Sequence, residues 1–182
     1  MPFLLSGVQP VLVTIQPIDV QIREATRRDL TSVLALYSQP ALDNGVVLSM
    51  EHAEHIFEQM LTYPNYRLYI SVYGSLIIGT FTLLIMDNLI HDGRPSGIVE
   101  AVAVDPEFQN QGIGKCMMQF AMDRCREFGC YKLMLSANLS RDRAHDFYQS
   151  LGFQQHGYSF ITDLVSSPTP SNTVAVEFND DN

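Results

Sequence analysis

The strongest chemical signal is the run Gln109-Asn110-Gln111-Gly112-Ile113-Gly114-Lys115. It stands between an apolar stretch, Ile98–Val104, and a helical pattern that begins at Gly112. A helix N-terminus leaves its first N–H groups without intrahelical partners and carries a partial positive charge. Two glycines let a bulky anion approach the main chain, so the segment is suited to a phosphate or diphosphate. Equally, the glycines make a tight strand-to-helix turn, and the run alone does not choose between these readings. Two rival phosphate motifs are excluded. A Rossmann fingerprint needs a third glycine where Met117 stands, and a P-loop needs Gly at Gln109 and Ser or Thr at Cys116.

Other reactive residue types carry less. Glu51-His52-Ala53-Glu54-His55 has its histidines at i, i+3, opposite the apolar stripe, and lacks zinc-protease spacing, so no metal site is expected. Ser6, Ser136 and Ser140 have no nucleophile-elbow context. Cys116, Cys125 and Cys130 are odd in number and fit neither Cys-x-x-Cys nor a metal pattern, which predicts reduced, buried thiols in an intracellular protein. Glu100 is a carboxylate in an otherwise apolar strand, and burying a charge is costly.

The elements that must position these residues follow from periodicity. Val20–Arg23 alternates as a half-buried strand. Thr26-x-x-Asp29 is a capping-box pattern opening a helix with Leu30, Val33, Leu34 and Tyr37 inward. Ala53, Ile56, Phe57, Met60 and Leu61 mark a second helix, stopped by Pro64. Arg67–Tyr73 and Leu76–Met86 flank the turn at Gly74 as a hairpin, and Ile98–Val104 is a strand bounded by Asp105-Pro106. Gly112–Phe128 is a helix closed by Gly129, with Ile113, Met117, Phe120, Ala121 and Phe128 on one stripe. Tyr131–Ala137 is a strand, and Ser140 stands where it can cap a helix with Ala144, Phe147, Tyr148 and Leu151 inward. Phe153–Ile161 is a last strand. This order predicts an α/β fold: a mixed, mostly antiparallel six- to seven-stranded sheet with helices on both faces.

The chain has 182 residues, enough for one domain and hardly two. Residues 1–19 read as an N-terminal arm, 20–164 as the domain and 165–182 as a tail in which Thr173–Phe178 can form one short strand. The arm has no basic residue before Arg23, so no secretory signal is expected, and the predicted location is cytoplasmic. Lys+Arg number 11 against 20 Asp+Glu, a formal charge of −9. That balance disfavours general nucleic-acid binding, and no apolar run approaches the roughly 20 residues of a membrane span.

Read with its neighbours, the glycine loop resembles that of the GNAT superfamily of acyl-CoA-dependent N-acyltransferases. The family's Gln/Arg-x-x-Gly-x-Gly/Ala loop follows a strand ending Val-Asp-Pro, and this chain has Val104-Asp105-Pro106-Glu107-Phe108 running into Gln109–Gly114. The family's Phe/Leu-Tyr-x-x-x-Gly-Phe signature appears as Phe147-Tyr148-Gln149-Ser150-Leu151-Gly152-Phe153. The resemblance covers roughly Val20 to Ile161. Ile98–Val104 and Gly129–Leu133 are similar to strands of glucosamine-6-phosphate N-acetyltransferases, but Ala101 replaces the acid that usually follows the glutamate there. Arg141 stands at the family's frequent Asn, with Asn138 nearby.

The resemblance implies acetyl-CoA as co-substrate, without a metal, lying where the strand ending at Val104 diverges from Tyr131–Ala137. It implies that the backbone of Val102 and Val104 pairs with the pantetheine, and that Gln109, Asn110, Gln111, Gly112, Ile113, Gly114 and Lys115 hold the diphosphate. Asn138, Arg141 and Arg143 either meet a phosphate or are solvated. Tyr148 is the implied general acid toward the leaving thiolate, against a plain core aromatic. Glu100, taken as sharing a face with Val102 and Val104, is either the base or ammonium ligand, or a structural partner of Arg67 or Lys132. His91, Asp92 and Arg94 either line the acceptor mouth or form a solvated loop. The implied activity is acetyl transfer to a primary amine, foremost a small metabolite such as an amino sugar or polyamine. The alternatives are a protein Lys or N-terminal acetyltransferase, and a non-catalytic acyl-CoA-binding regulatory module. A homodimer through the arm or the tail strand is compatible with this reading.

Overall fold

The structure, a computed structural model, describes residues 19–162 apart from 41, 43 and 44. The arm, the tail and its Thr173–Phe178 strand lie outside the described residues. Five strands form one sheet in the order β1-β2-β3-β4-β5: Gln21–Glu24, Tyr66–Tyr73, Leu76–Met86, Ser96–Val104 and Lys132–Leu135. The first three pairings are antiparallel, and β4–β5 is parallel, reached through the helical crossover α3 (Ile113–Glu127). The remaining helices are α1 (Leu30–Tyr37), α2 (Met50–Thr62) and α4 (Asp142–Ser150).

The sheet separates two apolar clusters. Leu68 and Ile70 meet Ala25, Leu30, Val33 and Phe57 on the α1–α2 side. Phe81, Leu83 and Val99 meet Ile113, Met117, Met118 and Ala121 on the α3 side. Helix α3 lies hard against β4: a Cβ on Gly97 would stand 2.3 Å from Cys125 Sγ, so only glycine fits there. The capping box forms, with Thr26 N–H and Oγ1 donating to Asp29 Oδ2 at 2.7 and 2.8 Å. It encloses a 3-10 turn over Arg27–Asp29 before α1, and Leu36 is buried where Leu34 was expected to be.

Three expectations are corrected. The described sheet has five strands rather than six or seven, because Phe153–Ile161 forms no ladder. Gly157 there has φ +85°, outside the extended region, and Tyr158 and Phe160 stand 87% and 92% exposed, with no partner strand among the described residues. Apolar alternation names the face a strand would bury, not the edge it would join. Ser140 does not cap α4. Its hydroxyl donates to Asn138 Oδ1 at 2.8 Å, and Arg141 takes the N-cap position. Cys125 is buried but Cys116 is exposed, since it falls on the outer side of α3; all three cysteines are free thiols. Among the described residues no helix is long and apolar enough to cross a membrane.

Candidate active site

β4 is pinned to β5 only from Ser96↔Lys132 to Val99↔Leu135, after which it runs on to Val104 without that neighbour. Asp105 N–H donates to Ile78 O at 2.9 Å, so Asp105 and Ala103 turn their peptide groups toward β3. Val104, and Val102 two residues back, therefore turn theirs into the gap opened by the departing β5. The Val104 carbonyl is already occupied: Nε2 of Gln39 and Nε2 of Gln109 each donate to it at 3.2 Å.

A β-bulge interrupts β4. Thr82 pairs with Glu100 and Thr80 with Ala103, so Ala101 and Val102 together oppose Phe81. Ala101 adopts φ +51°, a left-handed conformation unfavourable for a residue with a Cβ. Its carbonyl accepts a hydrogen bond from Tyr37 Oη at 3.2 Å. Burial pushes the Tyr37 phenol up to about 12, tempered by the Thr80 hydroxyl, so it stays a donor. The extra residue also reverses the alternation. Val102 and Val104 join Val99 against the α3-side cluster, whereas Glu100 turns to the other face. The sequence-based placing of Glu100 on one face with Val102 and Val104 is thus incorrect, because strict alternation fails at a bulge.

On that other face Glu100, Tyr66, Thr82, Leu84 and Ile98 line a recess of about 140 Å³. Neither suggested ion-pair partner of Glu100 points there. Arg67 approaches Glu24 at 3.8 Å and donates to the carbonyls of Tyr63 and Tyr66, and Lys132 lies over the Tyr131 ring. His91 stacks on Tyr131 at 4.0 Å and Arg94 Nε donates to the His91 carbonyl, so that loop is tied to the start of β5, and none of His91, Asp92 or Arg94 lines the recess. A larger hollow of about 430 Å³ opens between β1 and α3, lined by Val20, Ile22 and Phe120.

Beyond Val104, Asp105 caps a 3-10 turn over Pro106–Phe108, its Oδ1 accepting from Glu107 N–H at 2.9 Å. Asn110 and Gly112 follow at φ +60° and +86° and reverse the chain into α3. The N–H groups of Ile113, Gly114 and Lys115 then open the helix, and the intrahelical ladder begins with Cys116 N–H to Gly112 O at 3.0 Å. The two glycines have different causes. A Cβ on Gly112 would meet nothing within 4 Å, so its glycine serves conformation and leaves open space before the amides. A Cβ on Gly114 would stand 3.0 Å from Phe147 Cζ, so its glycine lets α4 close on α3. A positive helix end facing open space beside two outward peptide units can receive an anion together with an amide-bearing chain.

Closure of α4 brings Tyr148 against the same cluster as Val102, Val104 and Leu135. Burial raises the Tyr148 phenol above its ordinary range although the Arg141 charge pulls it back, which keeps it protonated. Asn138 Oδ1 is taken by Ser140, accepting from its N–H at 2.9 Å as well as from its hydroxyl, and Arg143 is exposed. The structure thus gathers Gln109–Lys115, Tyr148, Val102 and Val104 on one side of the sheet and sets Glu100 on the other. Sequence reasoning missed Tyr37 as more than a core residue and missed Gln39 altogether. The period marks Tyr37 only as an inward residue and does not mark Gln39 at all, because each matters through a contact with β4.

A family model described as "Acetyltransferase (GNAT) family" matches residues 30–153. The chain therefore belongs to the GNAT acetyltransferase family, enzymes that move an acetyl group from acetyl-CoA to an amine. It is 34% identical over 88 residues to glucosamine 6-phosphate N-acetyltransferase of Trypanosoma brucei brucei, a match spanning 48% of this chain and 58% of that protein. It is 28% identical over 144 residues to aminoalkylphosphonate N-acetyltransferase of Salmonella typhimurium, spanning 79% of this chain and 91% of that one. The crystal structure of a Trypanosoma brucei acetyltransferase superposes with TM-score 0.69 at 27% identity, covering 80% of this chain and all (100%) of that one.

Proposed function

We propose that this protein acetylates the primary amine of a small metabolite, with acetyl-CoA as co-substrate and Tyr148 and Glu100 as the reactive side chains. The observation that carries the reading is the gap beyond Val99↔Leu135, closed at one end by the opening amides of α3 and flanked by the half-buried phenol of Tyr148. Bound acetyl-CoA supplies an acyl group already activated as a thioester. The N–H groups of Ile113, Gly114 and Lys115 hold its diphosphate, with Gln109, Asn110 and Gln111 shaping the approach. The outward peptide units of Val102 and Val104 orient the pantetheine, and the Gln39 and Gln109 carboxamides give way at the Val104 carbonyl. Arg141 and Arg143 supply positive charge at the opening of α4, and Asn138 holds that turn in place. Tyr148, kept protonated by burial, delivers a proton to the departing sulfur. Glu100, on the opposite face of β4 but adjoining the bulge at the edge of the gap, receives the ammonium in the recess and accepts its proton through water. The amine thus meets the thioester from that face, through the opening beside β4. Both relatives described above are named for small amines, which supports a metabolite acceptor.

The test is thiol release with mass spectrometry of products across small amines, peptide N-termini and lysine peptides, in the wild type and in Tyr148→Phe. Acetylation of small amines is expected, with kcat reduced at least tenfold in the variant and acetyl-CoA affinity nearly unchanged. Acetyl-CoA binding without acetylation of any amine would replace this reading with an acyl-CoA-binding regulatory module.

A further inference from the structure

We infer that the acceptor is a primary amine carrying no phosphate or phosphonate group, which sets this chain apart from both named relatives. The inference rests on the proposed function, since it takes the recess at Glu100 as the place where the amine is received. That recess meets the β4 bulge at Glu100, the residue preceding the left-handed Ala101. Its walls offer one carboxylate, the Tyr66 phenol, the Thr82 hydroxyl and the apolar Leu84 and Ile98. The hydroxyl is already directed, donating to the Glu100 carbonyl at 3.1 Å. At about 30 Å³ for each water-sized group, a recess of about 140 Å³ admits an ammonium and a few further atoms, with the rest of the acceptor at its rim.

Recognition of a dianionic phosphate calls for Arg or Lys, or for a helix N-terminus. The chain has 11 Lys and Arg residues, all within the described part, because residues 1–18 and 163–182 contain none. None of them lines the recess. Arg23 pairs with Asp29, Arg27 with Glu54 and Glu58, Arg124 with Glu127, and Arg126 with Asp123. Arg67 is next to Tyr66 on β2, and strand alternation turns it to the opposite face, toward Glu24. Lys132 and Arg94 are held at the start of β5, and Arg28 is exposed on the turn entering α1. Lys115, Arg141 and Arg143 belong to the openings of α3 and α4, where the proposed function seats acetyl-CoA. A phosphate at the rim would meet Glu100 and the field of a chain of net charge −9, whereas an ammonium is attracted by both.

The experiment compares matched acceptors with the full-length chain and saturating acetyl-CoA: glucosamine against glucosamine 6-phosphate, and ethylamine against 2-aminoethylphosphonate, with spermidine as an unphosphorylated polycation. Products are identified by mass spectrometry and kcat/KM is measured for each. The unphosphorylated member should exceed its partner by at least tenfold, or the products should be confined to unphosphorylated amines, spermidine included. A phosphorylated member that equals or exceeds its partner overturns the inference and leaves the proposed function standing. No product from any of the five amines, with acetyl-CoA still bound, overturns the inference, and the wider panel of amines and peptides then decides whether the proposed function falls with it.

Discussion

Tyr37 should matter to turnover through one carbonyl. The left-handed conformation of Ala101 costs about 1–2 kcal/mol for a residue with a Cβ. A neutral hydrogen bond of the kind Tyr37 Oη makes to the Ala101 carbonyl contributes about 1 kcal/mol net. The two nearly offset, so this contact stabilises the bulge that sends Glu100 and Val102 to opposite faces. Tyr37→Phe removes the donor and leaves the ring. A loss of about 1 kcal/mol corresponds to about fivefold in rate. The reduction is expected in kcat, measured by thiol release, with KM for acetyl-CoA nearly unchanged because the α3 amides are untouched. Ala101→Gly relieves the strain, so when it is combined with Tyr37→Phe the loss of the phenol should cost less than about twofold. Equal losses with and without Ala101→Gly, additive within about 0.5 kcal/mol, would refute the coupling. So would full activity of Tyr37→Phe alone.

Three further outcomes follow from the packing and the charges. Gly114→Ala places a methyl against Phe147 and should lower kcat by pushing α4, and Tyr148 with it, away from α3. Adding Phe147→Leu should restore part of the loss, and a double variant no better than Gly114→Ala alone would argue against that route. The Arg23 guanidinium, the largest influence, together with bonds from Thr26, holds the Asp29 carboxyl well below the usual carboxylate range despite some burial. Such a group adds stability above its unfolded pKa, near 4, and loses it as pH falls from there toward its folded value. Asp29→Asn should therefore reduce unfolding free energy by about 1.5–3 kcal/mol at pH 7, with the gap to wild type narrowing below about pH 4. A gap of constant size down to pH 2 in denaturant titrations would contradict this account. Burial, helped by the neighbouring Cys130, pushes the Cys125 thiol up to about 12, whereas Cys116 is exposed. Iodoacetamide at pH 8 should label Cys116 in the native protein and Cys125 only after denaturation, as read by peptide mass spectrometry.

Much of the fold was legible because its determinants are local. The 3.6-residue period around Phe57 and Met117, the capping box at Thr26 and the hairpin turn at Gly74 each lie within a few residues of what they organise. The Val-Asp-Pro end of β4 and the glycine loop are also contiguous, so the spacing of Gln109–Lys115 is enough to mark the opening of α3. Phe153–Ile161 failed as a strand because a ladder needs a neighbouring edge, which local alternation does not report. Glu100 failed because its face depends on whether β4 keeps step with β3, and the extra residue at Ala101 and Val102 breaks that step.

By itself, then, the sequence determined the helices, most strands, the glycine loop that opens α3 and the Phe147-Tyr148 pair that marks α4. Tertiary structure alone decided where β4 leaves β5, which carbonyls Tyr37 and Gln39 reach, and why Gly112 and Gly114 are glycines for unlike reasons. It also decided that no Lys or Arg lines the Glu100 recess. Each of these depends on contacts between residues far apart in the chain, and such contacts leave no period, spacing or composition to read.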